Sequence, residues 1–186
     1  MIETEIIAKV RSILNEHGSD DVLSIAEDRV LLNDYIETAI PDAVTLLASK
    51  GYRVNAQKFT SISDGKIALP KDFISLVSLK LSEWKRAVNV VSTMESPEYI
   101  MAMNEYTQPG VYSPICYRDG DTLVCMPSKG GLDTNSEYNA AYDNGITADS
   151  KEATAVCYMA AALVLGLFGD NEGKQRLSDI SINILQ

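Results

Sequence analysis

Residues that commonly perform acid–base or nucleophilic chemistry are scarce in this chain. His17 is its only histidine and lies at the polar end of the first predicted helix, where the helix dipole favours a positive charge. A Ser-His-Asp or Cys-His site would need His17 as its base. We interpret His17 as a helix-end residue, and we expect no catalytic residue and no enzymatic activity.

The three cysteines could be metal ligands or small hydrophobic residues. Cys116, Cys125 and Cys157 cannot all pair within one chain, and they lack the CxxC spacing and the second ligand pair of a zinc site. Cys116 and Cys125 flank a predicted hairpin turn, so in one register they face each other across the two strands. Because free cysteine is often buried, we interpret Cys116 and Cys125 as small buried hydrophobic residues and predict no metal and no cofactor.

Three polar segments have the composition of a ligand site without its spacing. Residues 128–131, Ser-Lys-Gly-Gly, lack the GxxxxGK[ST] order of a phosphate-binding loop. Asp119-Gly120-Asp121 lacks the spacing of an EF-hand, and we interpret it as a solvated turn. We interpret the polar cluster from Asp170 to Lys174 as an interhelical loop.

Length and charge restrict the class of protein. The chain has 186 residues, of which 46% are hydrophobic, enough for one sizeable core, and we predict a single domain over residues 1–186. Sixteen basic residues against 26 acidic ones give a formal charge of −10. This charge disfavours a DNA-coating role, but it suits a wall past which DNA slides, because the wall repels phosphate.

The sequence predicts synthesis in the cytoplasm. Its first ten residues, MIETEIIAKV, lack the basic and then apolar order of a secretory signal. The longest nearly apolar run, residues 153–168, is shorter than the roughly 20 residues that cross a bilayer. We interpret this run as a buried helix.

Hydrophobic periodicity predicts helices at both ends of the chain. Residues 1–51 have helical spacing, in which Gly18 ends a first helix and Pro41 is expected to kink or split a second one near Thr38. Residues 149–186 are also predicted to be helical. Asp149 and Glu152 resemble a capping box at the start of that region.

Residues 52–145 are predicted to be mostly β, because apolar residues there alternate and turn residues separate the runs. Asp119-Gly120 predicts a hairpin turn, and Ser96-Pro97 predicts a helix near 97–106. The fold class is therefore α+β, with terminal α-helices forming a helical bundle beside a small antiparallel β-sheet that has one inserted helix.

The aromatic residues and the last helix allow two interpretations each. Trp84 and the tyrosines suit a core or a protein interface equally well. Along residues 173–186 the apolar stripe is narrow, and Ile182 and Leu185 lie off it. That segment either completes its burial against a neighbouring subunit or folds onto its own domain.

Two segments resemble the head-tail connector proteins of tailed bacteriophages. In residues 64–88 the similar features are Leu69-Pro70, Asp72-Phe73, a long strand over 76–81, then Trp84 and Lys85-Arg86. The second segment has Pro114 to Tyr117, Thr122 to Pro127, and a returning strand from Glu137-Tyr138 to Tyr142. The terminal helices agree in position with the helical bundle of that family, and the narrower resemblance is to podovirus-like or crAss-like phages.

The resemblance implies a structural virion protein of the phage neck. Such a protein forms a homo-oligomeric ring, commonly of twelve copies, that docks on the portal protein, extends the DNA channel and joins other neck or tail proteins. Genomic DNA would pass through it without sequence-specific binding. The interface candidates are Trp84, Lys85, Arg86, Tyr112, Tyr117, Leu177, Ile180, Ile182, Ile184 and Leu185.

Two other functions compete with the connector. A tail-completion or tail-terminator protein also forms an acidic ring, but usually with six copies around a tail tube. A small enzyme that uses carboxylates and tyrosines is the third possibility, and the single histidine and lack of a catalytic motif argue against it.

Overall fold

A computed structural model describes residues 3–17, 29–142 and 150–186. The chain divides into two compact units, which we call the helical unit (residues 1–55 and 141–186) and the β unit (residues 56–140). The α+β class is confirmed, and the terminal helices pack together as predicted. The single domain over 1–186 stays a prediction.

The described residues form five helices and six strands. The helices are α1 (Glu3–His17), α2 (Arg29–Ser49), α3 (Pro97–Ala102), α4 (Lys151–Leu167) and α5 (Asn171–Leu185). The strands are β1 (Ala56–Lys58), β2 (Lys66–Ala68), β3 (Phe73–Ser78), β4 (Ile115–Asp119), β5 (Thr122–Met126) and β6 (Glu137–Ala140).

Helix α4 is the centre of the helical unit and packs against α1, α2 and α5. Its alanines are fully buried from Ala160 to Ala162, because small side chains let neighbouring helices approach closely. The predicted buried helix over 153–168 is therefore confirmed. Within the described chain, no helix combines the length and the apolar character that crossing a membrane requires.

Three sequence signals for helices in the helical unit were Asp149, Gly18 and Pro41. Ser150 caps α4, since its side chain accepts a hydrogen bond from the N–H of Ala153, whereas Asp149 lies outside the described residues. Gly18, the predicted end of α1, also lies outside them. Helix α2 is one continuous helix with Pro41 inside it. Of the two predicted outcomes, a kinked helix or a split one, the split is therefore wrong.

Helix α5 begins two residues before the predicted segment, and the loop interpretation of 170–174 was wrong. Asp170 is its N-cap, and the carboxylate accepts a hydrogen bond of 2.8 Å from the N–H of Gly173. The polar cluster is thus the cap and first turn of a helix. An aspartate in that position stabilises the otherwise unpaired N–H groups.

The β unit contains two three-stranded antiparallel sheets rather than the one expected. Their strand orders are β1-β6-β3 and β2-β5-β4. The predicted hairpin is β4-β5, which turns at Gly120 with φ of +57°. The inserted helix α3 has the predicted cap, since the Ser96 side chain accepts from the N–H of Tyr99, but it ends at Ala102 instead of residue 106.

The core of the β unit is built around aromatic and aliphatic side chains. Trp84 is 1% exposed, and its Nε1–H donates a hydrogen bond of 2.9 Å to the carbonyl oxygen of Pro127. The ring of Tyr138 lies between those of Phe59 and Phe73, at centroid distances of 4.8 and 5.8 Å. Because the Trp84 N–H has a hydrogen-bond acceptor in the carbonyl of Pro127, the polar atom of the indole is paired within the core.

Candidate functional site

The groups that could perform chemistry are dispersed or buried. Among residues 3–17, 29–142 and 150–186, no three His, Cys, Asp or Glu side chains come together as metal ligands. All three cysteines are free and fully buried, which confirms the buried interpretation of Cys116 and Cys125. His17 is the last residue of α1, and its carbonyl oxygen accepts a hydrogen bond of 2.8 Å from Arg176.

Two of the interface candidates are packing residues of their own units. Trp84 lies in the core of the β unit, and Leu177 lies in the core of the helical unit with no exposed surface. Neither side chain has solvent-exposed area with which a partner could make contact, so both are packing residues rather than interface residues in this conformation. The sequence could not separate the two interpretations, because burial depends on neighbours distant in the chain.

The other α5 candidates are half-buried. Ile180, Ile182, Ile184 and Leu185 all pack against the hydrophobic core of the helical unit. In addition, Ser181 of α5 is fully buried and its hydroxyl donates a hydrogen bond of 2.7 Å to the carbonyl oxygen of Ala155. The segment thus packs onto its own unit, and further burial of its half-buried residues against a neighbouring subunit stays a prediction.

The remaining candidates lie at the surface of the β unit. Lys85 and Arg86 are exposed, Tyr112 is 69% exposed, and Tyr117 is half-buried. Burial, followed by the neighbouring Tyr99 and Asp119, raises the pKa of Tyr117, because these surroundings disfavour the charged phenolate. These four residues stay interface predictions.

Exposed large hydrophobic residues are concentrated in the segment that ends at Tyr112, a feature that the sequence interpretation missed. Of the nine large hydrophobic residues exposed in the described part of the chain, seven lie between positions 90 and 112. We call them the 90–112 surface; they are Val90, Met94, Ile100, Met101, Met103, Tyr106 and Tyr112. One signal could have indicated it, since three of the six methionines fall within residues 94–103 and methionine-rich segments are common at binding surfaces.

Helix α3 is exposed because it is too short to bury a face. Of its six residues only Ala102 is buried, whereas Ile100 and Met101 are 62% and 57% exposed. An apolar side chain in this position gains nothing from the hydrophobic effect within its own chain. The arrangement is therefore typical of a helix that contacts another molecule.

The segment that carries this surface is nevertheless anchored to the β unit. Near its start, the N–H of Ser92 donates a hydrogen bond of 2.8 Å to the carbonyl oxygen of Cys116. Near its end, the N–H of Lys85 donates one of 2.8 Å to the carbonyl oxygen of Val111. The ring of Tyr99 meets that of Tyr117 edge-on, at 4.7 Å between centroids.

A cleft of about 620 Å³ adjoins the exposed side chains of Val90 and Tyr112. It is lined by residues 86–93, 96, 98 and 112–115. Within the described chain, the backbone groups of Asn89, Val90 and Val91 form no backbone hydrogen bond. The chain bends at Val90, and backbone N–H and C=O groups without a backbone partner beside a cleft can form hydrogen bonds with another molecule.

Charge distinguishes this surface further. From residue 87 to residue 117 the chain contains no lysine or arginine, but it contains three glutamates, Glu95, Glu98 and Glu105, all exposed. The surface is therefore apolar and acidic, and a partner with apolar and basic groups complements it.

No protein-family model matches the chain, and no curated protein matches its sequence.

Proposed function

We propose that this chain is a non-enzymatic structural protein of the tailed-phage neck, which forms a ring that docks on the portal protein and joins head to tail. Twelve copies is the number that the family resemblance implies. The observation that carries the proposal is the 90–112 surface, because seven exposed large hydrophobic side chains in 23 residues are unusual in a protein that functions alone.

The composition of this surface supports contact with protein. Tyrosine and methionine are enriched at protein interfaces, and acidic residues usually lie at their rim. In the 90–112 surface two tyrosines and three methionines are exposed, with the three glutamates Glu95, Glu98 and Glu105 among them. Closure of a ring needs a heterologous contact, in which this surface on one copy meets a different surface on the next.

The distribution of charge supports different roles for the two units, protein contact for the β unit and a channel wall for the helical unit. Residues 56–140 contain eight basic and ten acidic residues, whereas the rest of the chain contains eight and sixteen. The nearly balanced β unit can meet another protein with little electrostatic repulsion. The acidic excess of the helical unit suits a channel wall that does not retain DNA.

The proposal is tested by mass photometry of the protein alone and mixed with the portal protein of the same genome. We expect a monomer or weak association alone and a closed ring with the portal, which supplies a template for closure. No complex at micromolar concentration would contradict the connector function. A six-fold ring on a tail tube would instead favour a tail-terminator protein.

Surface variants connect the assembly to the 90–112 surface. The triple variant Ile100→Ser, Met101→Ser, Tyr112→Ser should remain folded, since all three side chains are more than half exposed, and it should lose ring formation. The matched control is Leu167→Ser, which removes a side chain 65% exposed on the helical unit and should assemble normally. Equal assembly by the triple variant and the wild type would exclude this surface from the interface.

A further inference from the structure

Cys116 and Cys125 face each other within the core of the β unit. The strand register places them directly opposite each other in the β4-β5 hairpin. Their sulfur atoms are 3.7 Å apart, within contact distance for two thiols. Both side chains are 0% exposed and both are free thiols.

The hydrogen bonds around the pair show which kind of cross-strand position it occupies. The N–H of Cys125 donates a hydrogen bond of 2.8 Å to Gly65, on the side of β5 away from β4. The carbonyl oxygen of Cys116 accepts one of 2.8 Å from Ser92, on the side of β4 away from β5. The two cysteines therefore occupy a non-hydrogen-bonded pair, in which the Cα atoms approach to about 4.5 Å.

That separation is compatible with a disulfide. Bridged cysteines have Cα atoms roughly 4.4–6.8 Å apart, and the bond needs the sulfurs to close to about 2.05 Å with a Cβ–S–S–Cβ dihedral near 90°. Rotation of the two side chains can supply the movement, because the strands already hold the backbones in position. The third cysteine, Cys157, belongs to the helical unit.

We propose that Cys116 and Cys125 are a disulfide-forming site, which a small-molecule disulfide oxidises by thiol–disulfide exchange. One cysteine thiolate attacks a sulfur of the small disulfide and displaces the first small thiolate. The second cysteine thiolate then attacks the protein sulfur of the mixed disulfide and displaces the other. The protein loses two electrons and two protons, and the small disulfide becomes two thiols.

Burial controls when this reaction occurs. The thiol contact with Cys125, together with burial, raises the pKa of Cys116 far above its ordinary value, and the thiolate is the reacting form. Strand β2 pairs with the outer edge of β5, and Ser92 bonds to the outer edge of β4. The reaction therefore requires the hairpin to open, so it is slow in the native protein and faster where the β unit opens locally.

The bond would stabilise the part of the β unit that supports the 90–112 surface. Cys116 holds Ser92 through its carbonyl oxygen, and its neighbour Tyr117 contacts Tyr99 of α3. A covalent link across the hairpin restricts the unfolded chain over a loop that includes the turn at Gly120. This inference stands on strand geometry alone and does not depend on the proposed neck function.

The experiment uses the full chain, incubated with oxidised glutathione in buffer and in low urea. The protein is then acid-quenched, denatured and treated with N-ethylmaleimide, and its intact mass is measured. We expect one maleimide group per chain after oxidation, on Cys157, against three before, and a peptide map that links Cys116 to Cys125. Oxidation should be faster in low urea than in buffer.

Two variants and a stability measurement complete the test. Cys157→Ala should end with no maleimide group, and Cys116→Ser should keep free thiols or acquire glutathione without an internal link. The oxidised protein should unfold on the order of 5 °C higher than the reduced protein, and dithiothreitol should abolish the difference. Three maleimide groups after oxidation in low urea, or a lower unfolding temperature for the linked protein, would overturn the inference.

Discussion

The helical unit and the β unit use their apolar residues differently. In the helical unit the core covers nearly all described large hydrophobic side chains, and only Tyr35 and Leu167 are exposed. The β unit has a core around Trp84, yet it leaves seven large hydrophobic residues exposed between Val90 and Tyr112. The comparison teaches that an apolar residue in a sequence cannot be assigned to a core or to an interface before the residues that pack over it are known.

The largest expected effect is the loss of the β-unit core in Trp84→Ala. Removal of this buried indole and its hydrogen bond to Pro127 should lower the free energy of unfolding by about 3–5 kcal/mol. Hydrogen exchange measured by mass spectrometry should show the loss of protection in peptides from residues 56–140. Tyr112→Ala is the control, because its side chain is 69% exposed and should change stability little; unchanged protection in Trp84→Ala would contradict this description of the core.

The matching test in the helical unit is Leu177→Ala. Leu177 is 0% exposed in the core formed by α5 and its neighbours, and a cavity there should cost about 3 kcal/mol. Circular dichroism at 222 nm reports the helices, whereas the fluorescence of Trp84, the only tryptophan, reports the β unit.

The two signals also test the predicted single domain. If residues 1–186 unfold as one domain, both transitions should shift together in Leu177→Ala. A shift of the helical transition alone would show two independent domains. Ser178→Ala, at a half-buried position on the same helix, is the control and should shift neither transition by more than a few degrees.

Much of the secondary structure was predictable, because local signals decide it. Ser96-Pro97 predicted the start of α3, and alternating residues around Asp119-Gly120 predicted the β4-β5 hairpin. The division of the β residues into two sheets was not predictable. It depends on pairings such as Ala56 with Asn139, which are separated by most of the β unit and which periodicity does not specify.

The candidate surface was less predictable than the fold. Tyr112 was chosen for its residue type, whereas Ile100 and Met101 were not among the interface candidates. They are exposed because α3 ends at Ala102, before a second turn can bury a face. In contrast, Leu177 is buried in the core of the helical unit, where α5 packs chiefly against the preceding helix α4, and the pattern of α5 alone does not show which of its residues α4 covers.

A smaller effect is expected for the turn that starts β2, where Gly65→Ala should lower stability by about 2 kcal/mol. Gly65 has φ of +73°, and an added Cβ would collide with the side chain of Ser128. The Trp84 fluorescence transition is the measurement. Gly131→Ala is the matched control, since a Cβ there meets nothing within 4 Å, and an equal loss in both variants would contradict the geometric explanation.

The smallest expected effect concerns the helical unit at alkaline pH. Burial raises the pKa of Cys157 from its ordinary value of 9.0 to about 11, against a lowering influence of Lys9. The folded protein therefore keeps the thiol proton at pH values where the unfolded chain releases it. The stabilisation is complete below pH 9, and it declines as the pH rises from 9 to 11.

Titration of the Cys157 thiol should lower the free energy of unfolding of the helical unit by about 1 kcal/mol between pH 8 and pH 10. Urea unfolding followed at 222 nm across that range measures the slope, and Cys157→Ala removes the titrating thiol. The variant loses some stability at every pH because its side chain is smaller, but that constant loss cancels in the slope. A flatter pH dependence in Cys157→Ala than in the wild type is expected. Identical slopes would show that the thiol proton is held no more tightly in the folded helical unit than in the unfolded chain.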